Sequence, residues 1–184
     1  MTPLQSPDIV YDASQWRAGD IGFSHGTDLI ARAIQFAEKR EGDPGFYNHT
    51  FALLEPTPDG NDWVVIQAQM KGVTDTCKLS DVSPNGSHEV VPFPDKYADR
   101  GLFIEFLMAQ VGDEYSMLAI LSCALDMVLP EKICLRDYAT WICSGLIGGG
   151  LMYAGHPASK TWGDLYTNTP EFIRKVLVTS EVVL

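Results

Sequence analysis

Along the chain the rhythm of apolar and polar positions changes near the middle. The first half holds short apolar runs bounded by Gly, Pro, Asn and Asp, and the second holds longer stretches with helical spacing. Trp16-Arg17-Ala18-Gly19-Asp20 makes a turn into a brief apolar run, Ile21-Gly22-Phe23. From Asp28 to Arg40 the residues Leu29, Ile30, Ala33, Ile34 and Ala37 form one stripe, with Arg32, Gln35, Glu38 and Lys39 mostly outward, which predicts an amphipathic helix. The Glu41-Gly42-Asp43-Pro44-Gly45 cluster ends it.

Two strands are predicted next, His49 to Leu54 and Trp63 to Met70, with the Pro56–Asn61 loop between them suiting an antiparallel pair. A third, Glu89 to Phe93, follows the turn Pro84-Asn85-Gly86. Downstream, helices are expected over Arg100 to Val111, stopping at Gly112-Asp113, and over Ser116 to Leu129, stopping at Pro130. Another runs through Cys143 to Ile147, and a short one starts with Thr169 as N-cap and Pro170 at the first helical position. The tail from Val176 to Leu184 reads as a final strand. Strands grouped ahead of helices predict an α+β fold. There is no internal repeat.

Size and charge narrow the picture. A chain of 184 residues is one domain at ordinary domain sizes, and 46% hydrophobic content suffices for a core. The formal net charge is −11, and no Lys/Arg cluster is longer than Lys39-Arg40. That balance argues against nucleic-acid binding through phosphates and disfavours an anionic membrane surface. Met1 to Asp8 has neither a basic n-region nor an apolar core, so no secretory signal is expected, and a cytoplasmic or virion-associated location is the expectation. Tyr138 to Ser159 contains no Asp, Glu, Lys or Arg and imitates a membrane span. Thr140, Ser144, His156 and the run Gly148-Gly149-Gly150 weigh against that, and a helix buried in a globular core looks the same. Met117 to Leu129 is too short to span and is interrupted by Asp126.

The cysteines Cys77, Cys123, Cys134 and Cys143 form no close pairs of the zinc-binding kind, and the chain is too long to need a disulfide framework. Reduced thiols are expected, most of them buried, and neither metal nor cofactor is called for. Cys143 stands apart. Thr140 as N-cap would place it in the first turn of a helix, where unpaired N–H groups depress a thiol pKa and can form an oxyanion hole. Asp137 is a competing cap that would put Cys143 too deep. His49 heads a strand after a Gly/Pro loop, a place suited to facing a cleft, and Gln67 and Gln69 share one face of the neighbouring strand. Either amide has the chemistry to orient the imidazole of His49. His25 follows the first short strand and is placed to line the same cleft, whereas His88 and His156, in Gly/Ser/Pro-rich loops, are expected to be solvated. The glycine run reads as close helix packing or a helix break.

The order of these elements resembles the circularly permuted papain-fold amidases of the NlpC-like superfamily, especially the YiiX-like branch and its lecithin–retinol acyltransferase-like relatives. The opening Gly-Asp-Ile-hydrophobic strand is matched by Gly19-Asp20-Ile21-Gly22-Phe23, and the Ser/Asn-His strand by Asn48-His49-Thr50-Phe51-Ala52-Leu53. Ile66-Gln67-Ala68 ahead of Gly72-Val73, Gly112-Asp113-Glu114-Tyr115-Ser116, Cys143-Ser144-Gly145-Leu146 and Thr169-Pro170-Glu171-Phe172-Ile173 continue the series in order. The matches run roughly from residue 19 to residue 174.

The resemblance implies a single permuted papain-like domain with its core at about residues 16–176. In it an antiparallel sheet carrying His49 and Gln67 packs against the Cys143 helix. It further implies a cysteine peptidase or amidase with Cys143 as nucleophile, His49 as base and Gln67 as orienter, acting on a peptide, peptidoglycan or acyl-lipid substrate. Asn48, His25, Tyr115 and Ser144 are the expected substrate contacts. Two residues depart from the family pattern: Gly145 stands where the family has Glu, and Gln67 where it often has Glu or His. A papain-fold module that binds without catalysis, for example in a phage tail or other larger assembly, is the competing expectation.

Overall fold

A computed structural model describes residues 13–26, 46–84, 86–116, 140–157 and 168–179. The predicted helices over Asp28–Arg40 and Ser116–Leu129, together with Cys123, Cys134 and Asp137, lie outside the described residues, apart from Ser116 itself. What is described is α+β. Five strands, β1 (Ile21–Ser24), β2 (His49–Pro56), β3 (Trp63–Gln69), β4 (Gly72–Lys78) and β5 (His88–Val91), form an antiparallel sheet in the order β4-β3-β2-β1-β5. The helices are α1 (Leu79–Val82), α2 (Arg100–Ala109), α3 (Cys143–Tyr153) and α4 (Pro170–Thr179). Two short parallel strands, β6 (Glu114–Tyr115) and β7 (Thr140–Trp141), pair beside them.

Apolar residues cover the sheet on both faces, which is why β2 reads as a continuous apolar run instead of alternating. Ile21, Phe23, Ala52 and Ile66 join Phe103, Leu107, Leu146, Ile147 and Leu151 in the larger cluster, against α2 and α3. Phe51, Leu53, Val65, Leu79 and Val90 form the smaller one, with Trp16 and Trp63 packed against it. Gly22 lies under the Phe51 ring, where a Cβ would collide with it. Strand β4 was not anticipated: its middle, Thr74-Asp75-Thr76, is polar because an edge strand faces water and needs few apolar positions. Gly72 opens it at φ +104, and a Cβ there would meet Asp113 O at 2.6 Å.

Helix α3 is buried from Cys143 through Leu151, so it is hydrophobic all round for the reason a core helix is. At 11 residues it is far shorter than the roughly 20 a bilayer requires. Among the described residues no helix is long and apolar enough to cross a membrane. The glycine run lies inside α3 and serves packing: a Cβ on Gly150 would approach the Phe103 ring carbons of α2 to 2.8 Å. Gly150→Ala therefore tests the packing. Alanine favours a helix by about 1 kcal/mol, but overpacking against a fully buried ring costs about 1–3 kcal/mol. The expected outcome is a net loss, read as a lower urea midpoint with an unchanged slope.

The C-terminal end corrects the predicted strand. Thr169 does cap α4, accepting the Phe172 N–H at 3.1 Å, but the helix continues to Thr179. Ile173 and Leu177, four apart, are the buried face, and that spacing outweighs the β-branched Val176 and Val178. An ion-pair cluster seats α4 on β5. Arg174 donates to Glu89 Oε2 (2.5 Å) and Oε1 (3.4 Å) and to Glu171 Oε1 (3.2 Å), with all three side chains buried. Its guanidinium also lies 5.4 Å from the Tyr47 ring centroid. Glu89 and Glu171 hold the Arg174 pKa above its ordinary value against the burial that would lower it.

Candidate active site

Hydrogen bonding in β2 alternates between its two neighbours. Leu53 N–H donates to Asp20 O, so the odd-numbered residues of β2 bond towards β1 and the even-numbered ones towards β3. The β1–β2 ladder runs out to Ser24↔His49, but the β2–β3 ladder stops at Ala52↔Ile66. Beyond Ile66 the strands have parted, and the Thr50 N–H, which points to the β3 side, is not consumed by the sheet. It donates instead to the thiol of Cys143.

Cys143 is the first residue of α3, and Ile142, extended at φ −103 and ψ 160, precedes it as the N-cap without a side-chain cap bond. The expectation that Thr140 or Asp137 would cap is therefore corrected for Thr140, which lies in β7. The first-turn position of Cys143 stands for a different reason. The strand β7 ends at Trp141 and the chain turns directly into the helix, whose first internal bond is Leu146 N–H to Ile142 O. That leaves the opening N–H groups at the positive end of the helix dipole beside the thiol. The Ser144 N–H is one of them and bonds the sulfur.

Across the same gap, His49 Nε2 lies 2.7 Å from Gln67 Oε1. An amide oxygen only accepts, so Nε2 carries a proton. The imidazole also hydrogen-bonds the Cys143 thiol, and with Nε2 engaged by Gln67 that bond falls to Nδ1. Burial disfavours a charged sulfur here and is the largest single influence on it. The hydrogen bond and charge of His49, with the N–H groups of Thr50 and Ser144, outweigh burial and hold the thiol pKa below its ordinary value. Gln69, the other amide, ends β3 opposite Gly72, and the bond to His49 goes to Gln67.

The remaining predicted residues have partners of their own. Asn48 is buried, and its carboxamide bonds both backbone groups of Gly26. His25 Nδ1 lies 2.7 Å from Phe46 O, and its ring stacks on Phe46 at 4.9 Å. Ser144 is buried and meets the thiol through its main chain. Tyr115 lies in β6 opposite Trp141 and packs against the larger core cluster. Of the two histidines expected in solvent, His156 is buried and His88 is half-buried. His156 is 1% exposed and edge-on to Tyr97, and His88 begins β5 beside Trp16, so burial lowers the pKa of each. For His88 the charge of Asp62 opposes that shift without cancelling it. The contribution of Thr50 had no sequence signal, since it is made by a backbone N–H. Among the described residues no three His, Cys, Asp or Glu side chains group to hold a metal ion. No family model and no curated protein matches the chain.

Proposed function

We propose that this protein is a cysteine hydrolase of the permuted papain kind, cleaving an amide or ester through an acyl-enzyme intermediate. The observation that carries the reading is the continuous relay from the Cys143 thiol through the His49 imidazole to the Gln67 amide at the start of α3. His49 preceding Cys143 in the chain is the order a permuted papain fold requires. The thiol gives its proton to His49 Nδ1 as sulfur adds to the substrate carbonyl carbon, and the carbonyl electron pair moves onto oxygen. The N–H of Cys143 stabilises that oxyanion. Collapse expels the amine or alcohol, which takes the proton from Nδ1 and leaves a thioester. Water then attacks the thioester, giving a proton to Nδ1, and the departing thiolate takes that proton, so thiol and imidazole are restored. A neutral Gln67 fixes the ring orientation and adds no negative charge to stabilise imidazolium.

The substrate class is a peptide, including peptidoglycan stem peptides, or an acyl lipid. One feature favours the competing reading of a non-catalytic assembly module: Cys143 is only 3% exposed. Limiting iodoacetamide followed by peptide mapping separates the two. Cys143 is expected to be alkylated ahead of Cys77, Cys123 and Cys134, and a screen of stem peptides against acyl lipids then assigns the class. Alkylation of Cys143 no faster than that of Cys77 would sink the enzyme reading in favour of the assembly module.

A further inference from the structure

His49 is the last residue of β2 with a partner on β1, and β3 has already left its other side. Ends of ladders are where sheet pairing opens most easily, so a base in this position needs something beyond the sheet to keep it in place. Here a side chain continues the ladder. The Asn48 N–H donates to Ser24 O at 3.2 Å. Its Oδ1 then accepts the Gly26 N–H at 2.7 Å, and its Nδ2 donates to Gly26 O at 2.9 Å. The pair of bonds imitates one further rung, made by a carboxamide in place of a peptide group, and Asn48 is 2% exposed. On the same loop His25 N–H donates to Ser87 O, which extends the pairing towards β5.

We propose that Asn48 is a positioning residue: its reciprocal pair with Gly26 locks the end of the β1–β2 ladder so that the imidazole of His49 is held against the Cys143 thiol. The inference rests on reading Cys143 and His49 as nucleophile and base. It assigns Asn48 a role in holding His49, in place of the substrate contact the sequence suggested. A carboxamide of this length is required, because the site needs one acceptor and one donor in a single plane. Serine supplies only one of the two at a time, and alanine neither.

The test is the pH profile of Cys143 alkylation, with the thermal midpoint measured in parallel, for the unmodified protein, His49→Ala, Asn48→Ala and Asn48→Ser. Asn48→Ala is expected to slow alkylation at neutral pH by about 10-fold or more, since displacing a reacting group by about 1 Å costs up to about 100-fold. It should move the acid limb of the profile towards that of His49→Ala, and Asn48→Ser should fall between Asn48→Ala and the unmodified protein. If Asn48→Ala lowers the thermal midpoint but its profile superimposes on that of the unmodified protein, Asn48 only stabilises the fold and the proposal is wrong. Should Asn48→Ala not fold, an unshifted profile for the milder Asn48→Ser overturns it equally. Coincident profiles for the unmodified protein and His49→Ala would instead remove the underlying reading of the site.

Discussion

His49→Ala is expected to reduce the alkylation rate of Cys143 at pH 7, and any turnover, by about 10²–10⁴-fold, the usual worth of a positioned general base. The size follows from what surrounds the sulfur. With the imidazole gone, the Thr50 and Ser144 N–H groups still face the thiol, but the strongest opposition to burial is lost. The thiol pKa then climbs, and the thiolate fraction at neutral pH falls accordingly. The direction of the pH dependence is the sharper check. The unmodified protein should keep its reactivity as pH falls below the range where ordinary thiols become protonated. The variant should lose it steadily over that range and recover only in alkali. Equal rates for the two proteins across pH 5–9 would mean that the hydrogen bond to His49 does not tune the sulfur.

Arg174→Met is expected to produce the largest loss of stability, about 3–5 kcal/mol near neutral pH, as found when one partner of a buried ion pair is removed. Two carboxylates, Glu89 and Glu171, converge on this guanidinium, and both are buried. Without the cation they are left close together in a poorly solvated place, so the folded-state pKa of at least one rises above the ordinary carboxylate value of about 4.3. A raised pKa in the folded state means that folding takes up a proton. The variant's deficit should therefore be greatest at pH 7 and shrink as pH falls towards 5. Urea unfolding at the two pH values measures this, and a deficit independent of pH would show that the loss comes from packing and not from the stranded charges. Replacing Glu89 and Glu171 by leucine together with Arg174→Met should recover much of the loss, since an apolar cluster of similar volume has no charge to desolvate.

Elements with a strong local pattern were legible. The cores of β2 and β3 lie where the apolar runs are, and the Thr169-Pro170 cap starts α4. Strand β4 and the pair β6–β7 were not, because a polar edge strand and two-residue strands have no periodicity to read. The tail misled because Val176 and Val178 favour strands locally while Ile173 and Leu177 need a helical face for burial, and burial outweighs propensity. His156 misled in the same way: its Gly-Pro surroundings suggest a loop in water, yet the turn after α3 folds it under Tyr97.

By itself the sequence determined residue chemistry and local shape. It offered a thiol, an imidazole and an amide on separate elements, a glycine-lined helix apolar on every side, and a formal net charge of −11. The parting of β3 from β2 was decided only by the tertiary structure, and it turns Thr50 N–H towards sulfur and lets Gln67, not Gln69, reach His49. The same holds for the turn of Asn48 towards Gly26. The physical reason is common to these. Periodicity along a chain reports which face of an element is buried, whereas a lowered thiol pKa depends on donors brought within hydrogen-bond reach from two elements, β2 and α3, that sequence distance keeps far apart.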